Sequence, residues 1–206
     1  MPDSTPPGAA QPAKAKRQPP GQRRVQILQT LAALLQQPGG DRITTAALAK
    51  ELQVSEAALY RHFASKAQMF EGLIDFIEQS VFALIGQIQA QSTDGAQRAG
   101  QIVSMLMKFA EKNPGMTRVM VGDALLLEHE RLQERMNQFF DKVEAALKQC
   151  LREAASMDAS ATPTVDAQLR AAVLVAFARG RLQRFARSRF KRLPGEQLEA
   201  CLALLL

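Results

Sequence analysis

The sequence predicts an all-α protein, a three-helix N-terminal unit carrying a helix-turn-helix followed by a larger helical bundle, on three observations. Apolar residues recur with a period of about 3.6 from Gln22 onward. No stretch alternates apolar and polar residues as a half-buried strand does. The apolar stripes are separated by helix stop and start signals, Pro-Gly pairs and hydroxyl caps, rather than by hairpin turns.

The 206 residues, 47% hydrophobic and 22% charged, suffice for one good core or two small ones. Six of the ten prolines lie in the first 20 residues, which hold almost no large apolar side chain. Residues 1–21 therefore read as a disordered basic tail. No apolar run follows its charges as a secretory signal requires, and no stretch approaches the roughly 20 apolar residues of a membrane span. The expectation is a soluble cytoplasmic protein.

The net charge of +6 is unevenly spread. Residues 1–24 carry five basic side chains against Asp3, residues 179–192 carry seven and no acid, and the remainder is net −5. Basic partner binding is then local to these patches, where a tail of this kind either adds salt-dependent affinity for phosphates or merely solubilises. Cys150 and Cys201 lie in helical patterns without metal-ligand neighbours and read as packing residues.

Val25, Leu28, Leu31, Ala32 and Leu35 form the first stripe, ended by Pro38-Gly39-Gly40. A second helix starts at Thr44 or Thr45, either of which can cap it, and carries Leu48, Ala49 and Leu52. Ser55 caps a third, to about Phe63. Ser65 caps a long fourth with Met69, Phe70, Leu73, Ile74, Phe76, Ile77, Val81, Leu84, Ile85 and Ile88 on one broad face. A fifth spans residues 96–112 and stops at Asn113-Pro114-Gly115. A short helix at 117–122 and a long one at 125–155 follow. In the latter, Leu132, Met136, Phe139 or Phe140, Val143, Leu147 and Leu151 recur at coiled-coil spacing. Helices at 167–190 and after Pro194-Gly195 complete the chain.

TAALAKELQVSEAALYRHF, residues 45–63, has helix-turn-helix spacing. Leu48, Ala49 and Leu52 face inward, Val54 plugs the turn, and Leu59 packs the second helix on the first. Glu56, Ala57, Tyr60 and Arg61 form a continuous face opposite Leu59, the face a recognition helix presents to the major groove. Tyr60, the only tyrosine, suits a phosphate or a thymine methyl, and Arg61 a phosphate or a guanine edge. Thr44, Thr45 and Ser55 place hydroxyls and positive helix ends against the backbone, and Lys66 does so at the next helix start. His62 reads as a phosphate contact or a packing residue, and His129 as part of a solvated helix face.

RITTAALAKELQVSEAALYRHFASKAQMF resembles the DNA-binding domain of TetR-family regulators. The likeness continues through LIDFIEQS, EKNPGMTRVMVGDALLLEHERLQERMNQ and RGRLQRFARSRFKRLPGE, which are similar to the nucleoid occlusion branch of that family. The resemblance implies a TetR-like division into residues 22–66, binding DNA, and 67–206, a regulatory and dimerisation bundle. It implies a nucleoid-associated homodimer, with one or more dimers per DNA site. Bound at palindromic double-stranded sites, the dimer would antagonise the division protein FtsZ. It places the FtsZ tail between the fourth and fifth helices, at positions here held by Phe76, Met105, Lys112 and Asn113. Two positions depart from the pattern: Gln53 stands where the family usually has glycine, and Leu84 where an arginine is expected toward the partner.

Val173, Leu174, Phe177, Leu182 and Phe185 give the penultimate helix an apolar face, with Val173, Phe177, Leu182 and Phe185 expected at a twofold dimer interface. Arg181, Arg184 and Arg187 recur every three positions, either as a solvated face or as a contact for a membrane surface or nucleic acid. A ligand-gated repressor, with an effector inside the bundle, is the alternative function. No nucleophile–base pair, phosphate-cradling glycine loop or metal triad is present in the sequence, so neither an enzyme nor a cofactor is expected.

Overall fold

The computed structural model describes residues 21–40, 42–157 and 161–206, and the expected tail lies almost wholly outside them. Helices α1 (Gln22–Gln36), α2 (Thr45–Glu51) and α3 (Glu56–Tyr60) form the N-terminal unit. Helices α4 (Lys66–Gln91), α5 (Gly95–Lys112), α6 (Pro114–Met120), α7 (Glu130–Met157), α8 (Pro163–Arg187) and α9 (Leu198–Leu205) form the bundle. A 3₁₀ turn, Asp123–Leu125, precedes α7, and there is no strand among the described residues.

One buried apolar cluster runs through both parts, from Ile27 of α1 to Leu202 of α9. Burial of each large aliphatic side chain contributes about 1.5–3 kcal/mol. Helix α1 is set into the bundle through α6 and α4. At the first of these crossings a Cβ on Gly115 would stand 1.9 Å from the Ala32 carbonyl oxygen, so only glycine lets α6 approach α1. Helix α7 packs chiefly on α8, with α5 against both.

The buried residues of α1 are Ile27, Leu31 and Leu35, and Val25 is exposed. The true stripe, at i, i+4 and i+8, therefore starts two positions later than expected. On α4 the expected broad face is narrower: Phe76 and Leu84 are exposed, while Met69, Phe70, Leu73, Ile74, Ile77, Val81 and Ile85 are buried. All the expected α7 positions, Phe139 and Phe140 both included, are buried. Pro114 opens α6 as well as ending α5, because its missing N–H is no loss at a first helical position.

Helix α8 ends at Arg187, three residues early, for a reason visible in its backbone. Arg189 and Phe190 adopt left-handed φ values of 54° and 63°. Phe190 N–H donates to Phe185 O at 2.9 Å and Arg189 N–H to Ala186 O at 3.1 Å, the paired bonds of a Schellman ending. The Phe185 and Phe190 rings, 5.1 Å apart, supply the apolar contact that accompanies it.

Two expected interface residues are corrected by their burial. Leu182 and Phe185 are buried by their own chain, at 0% and 1% exposure, and leave no surface for a second subunit. The outward apolar face of α8 is instead Val165, Leu169 and Val173, with Phe177 half-buried beside it. Arg181 is not part of a solvated face either: it donates to Pro194 O and Glu196 O at 2.7 and 2.8 Å, and clamps the α8–α9 connection. His129 precedes α7 rather than lying on it, and its Nδ1 accepts from Arg131 N at 3.3 Å.

Candidate nucleic-acid interface and partner groove

Three hydroxyls organise the N-terminal unit. Thr44, Ser55 and Ser65 each take an extended backbone and accept from the N–H three residues on, at Ala47 (3.1 Å), Ala58 (3.3 Å) and Gln68 (3.2 Å). Each cap starts its helix and leaves the remaining first-turn N–H groups, with the positive end of the helix dipole, beside an exposed surface.

The turn between α2 and α3 closes on Gln53 at φ 54°. Gln53 N–H donates to Lys50 O and Val54 N–H to Ala49 O, at 3.1 and 3.0 Å, so this too is a Schellman ending, carried by a glutamine in the position that favours glycine. Leu59 and Ala49 are both buried, which sets the crossing of the two helices.

Of the residues predicted to face DNA, Thr44, Ser55, Glu56, Ala57, Tyr60 and Arg61 are exposed, and Thr45, His62 and Lys66 half-buried. The Tyr60 ring stands out at 44% exposure. The Arg61 and Tyr60 side chains make no hydrogen bond or ion pair with the described residues. Thr45 Oγ1 donates to Glu56 Oε2 at 2.6 Å, so these two belong to each other and hold the starts of α2 and α3 together. The His62 carbonyl accepts from Arg24, whose guanidinium also stacks 4.1 Å over Phe63. Arg24 is thus a strut between α1 and the end of α3 rather than a tail charge. Exposed Arg42, next to the α2 cap, was missed by sequence reasoning; a basic residue two positions before a capping threonine was the available signal.

Lys66 opens α4, and its Nζ lies 2.5 Å from Glu128 Oε1, in the loop before α7. A run of ion pairs then ties α4 to α7: Glu71–Arg131 at 2.8 Å, Asp75–Arg135 at 2.7 Å, and Glu78 with both Arg135 and Lys142. The bond to Asp75 pushes the Arg135 guanidinium up against the opposing effect of burial. Farther along, Glu153 is held below the usual carboxylate range, first by the hydrogen bond from Arg98 and then by that from Gln149. Burial pushes the Cys150 thiol up, as befits a packing residue.

Beyond these pairs α4 and α5 part to form a groove of about 680 Å³. Leu84, Ile88, Met105 and Phe109 provide apolar walls, with Lys108, Lys112 and Asn113 at one lip. Met105, Lys112 and Asn113 are therefore brought together, and Asn113 is oriented by donating from Nδ2 to Phe109 O at 2.8 Å. Phe76 does not line the groove; it is exposed nearer the start of α4. Leu84 does line it, adding apolar surface where a cation was expected. Lys108, one turn before Lys112, was overlooked, although its i, i+4 spacing from Lys112 was the sequence signal. No group of three metal-ligating side chains occurs among the described residues, and none of their helices is long and apolar enough to cross a membrane.

Residues 27–73 match the family profile of bacterial regulatory proteins of the tetR family, and residues 93–206 the SlmA-like profile described as tetracyclin repressor-like, C-terminal domain. The chain is 49% identical over 178 residues to the nucleoid occlusion factor SlmA of Idiomarina loihiensis, covering 86% of this chain and 90% of that one. It is 48% identical to the SlmA of Vibrio cholerae, covering 89% and 93%. Solved structures with the same fold include the regulator FadR of Bacillus halodurans, at TM-score 0.74 and 16% identity over 93% of this chain and 97% of that one. Another is FadR of Bacillus subtilis in complex with stearoyl-CoA, at 0.71 and 13% over 88% and 96%. The chain belongs to the TetR family of bacterial regulatory proteins, in its SlmA-like branch.

Proposed function

We propose that the protein is a nucleoid occlusion factor: a homodimer that, seated on palindromic chromosomal sites, antagonises FtsZ polymerisation over the nucleoid. The single observation that carries this reading is that one helix joins two surfaces. Helix α4 begins at Lys66 beside the exposed Tyr60–Arg61 face and, about 27 Å later at 1.5 Å per residue, lines the α4–α5 groove through Leu84 and Ile88. The names of the SlmA relatives support the same reading.

In this account Thr44, Tyr60, Arg61 and Lys66 engage DNA, with phosphate contacts positioning the protein and Tyr60 and Arg61 nearest the base edges. The groove takes the acidic, partly apolar FtsZ tail, its apolar side chains against Leu84, Ile88 and Met105 and its carboxylates toward Lys108 and Lys112. Displacement of α4 against α7 couples the two sites, and linkage requires that each ligand strengthen the other equally. Dimerisation uses the outward residues of α8, Val165, Leu169 and Val173, at 56%, 62% and 50% exposure, with Leu204 of α9. A twofold axis there presents two recognition helices to two half-sites.

Sedimentation of FtsZ polymers tests the reading. Polymer mass should fall when the chain and a cognate duplex are both present, and change little with either alone. Equal inhibition without DNA, or none with it, would reject the reading; duplex release by a small apolar effector would favour the ligand-gated alternative.

A further inference from the structure

A second cleft, of about 1170 Å³, opens on the other side of α5, against the connection between α8 and α9. Its far wall is built. Arg181 holds the connection by its two bonds to Pro194 O and Glu196 O, and Glu111 Oε1 accepts from Gly195 N at 2.9 Å, pinning the same loop to α5. With those two charges spent on backbone groups, the remaining basic lining is Lys108, Arg184, Lys191 and Arg192. All four are exposed, and their side chains make no hydrogen bond or ion pair with the described residues. Glu196 and Glu199 line the α9 end, so the cleft is net positive. Ser104 and Lys108 line both this cleft and the α4–α5 groove, which makes one continuous path across α5.

We infer that this cleft is a second docking subsite, which takes an acidic protein segment flanking the apolar stretch held in the groove. The inference rests on the reading of that groove as a tail-binding site. Charge decides the occupant's chemistry: unpartnered lysines and arginines around a polar, open cleft reward carboxylates, whereas the apolar walls lie on the groove side of α5. Lys108 stands at the crossing and serves both.

The test uses the full chain on its cognate duplex and two kinds of fluorescent peptide: the FtsZ C-terminal tail, and the same tail extended at either end by a short run of glutamates. Lys191→Glu/Arg192→Glu is the variant; Arg184 is left alone because it shares the α8 face that carries Val173. The extension should tighten binding about fivefold at low salt, and the variant should lose that gain while holding the unextended tail as tightly and melting unchanged. No gain from either extension, or a gain that the variant keeps, would overturn the subsite. So would a variant that loses duplex affinity, since the patch would then belong to DNA. Failure of the unextended tail to bind wild-type protein would count against the groove alone. The subsite would then stand on an extended peptide that binds wild type and not the variant, and fall if neither binds.

Discussion

Lys66 Nζ and Glu128 Oε1, 62 positions apart, lie 2.5 Å from each other where the DNA-binding unit meets the loop before α7. The lysine expected to meet a DNA phosphate is thus already paired with a carboxylate, and a phosphate must displace it. Glu128→Gln removes the competitor. Duplex affinity is expected to rise by about three- to tenfold, with the stability loss limited to roughly 1 kcal/mol because the pair is only partly buried. Anisotropy titrations over a range of salt concentrations check this; unchanged or weaker binding would mean that Lys66 does not reach DNA.

Tyr60 and Thr44 separate contact from scaffolding. Tyr60→Ala deletes an exposed, unpartnered ring and should weaken duplex binding at least tenfold with the melting temperature almost unchanged. Thr44→Ala also deletes the cap on Ala47 N–H, so weaker binding should come with about 1 kcal/mol of lost stability. Paired melts and titrations on the two variants distinguish the roles, and a Tyr60→Ala protein that unfolds would place the ring in the core.

Gln53 pays for its left-handed turn with strain that glycine would not carry. Gln53→Gly is expected to raise stability by about 0.5–1 kcal/mol without changing duplex affinity, measured by denaturant midpoint and titration. A loss of stability would show that the glutamine side chain contributes more than its backbone costs.

The Arg98–Glu153 pair sets a pH dependence. Because Glu153 titrates below its ordinary range when folded, its contribution is present above that range and is lost as pH falls through the lowered value. Glu153→Gln should therefore melt a few degrees below wild type at neutral pH, and the two curves should converge in acid. It also leaves the Arg98 guanidinium, 8% exposed, without its charge partner. Equal melting at both ends of the pH range would remove the pair from the account.

The elements most legible in the sequence were those with local causes. Thr44, Ser55 and Ser65 announce three helix starts because a capping hydroxyl acts within three residues. The α7 positions from Leu132 to Leu151 were readable because a long helix buried along one stripe repeats its pattern many times. Where tertiary contacts decide, the reading failed. Leu182 and Phe185 look like interface residues in a helical pattern, yet Leu182 belongs to the chain's own core and Phe185 is buried with its ring against Phe190 of the Schellman ending. Phe76, expected in the partner groove, is exposed nearer the start of α4 and outside it, whereas Leu84 does line the groove as its partner-facing position implied. The Lys66–Glu128 and Thr45–Glu56 pairs had no signal at all, since nothing in a sequence says which exposed charge or hydroxyl is already engaged.

The central claim is that DNA at α2–α4 and a peptide in the α4–α5 groove act on one helix. Its most direct test is the affinity of a fluorescent FtsZ tail peptide for the full chain, with and without a saturating cognate duplex, on wild type and Lys112→Glu. Binding is expected to be about five- to a hundredfold tighter on the duplex, with most of that gain lost in the variant. Affinity that is the same with and without duplex would contradict it.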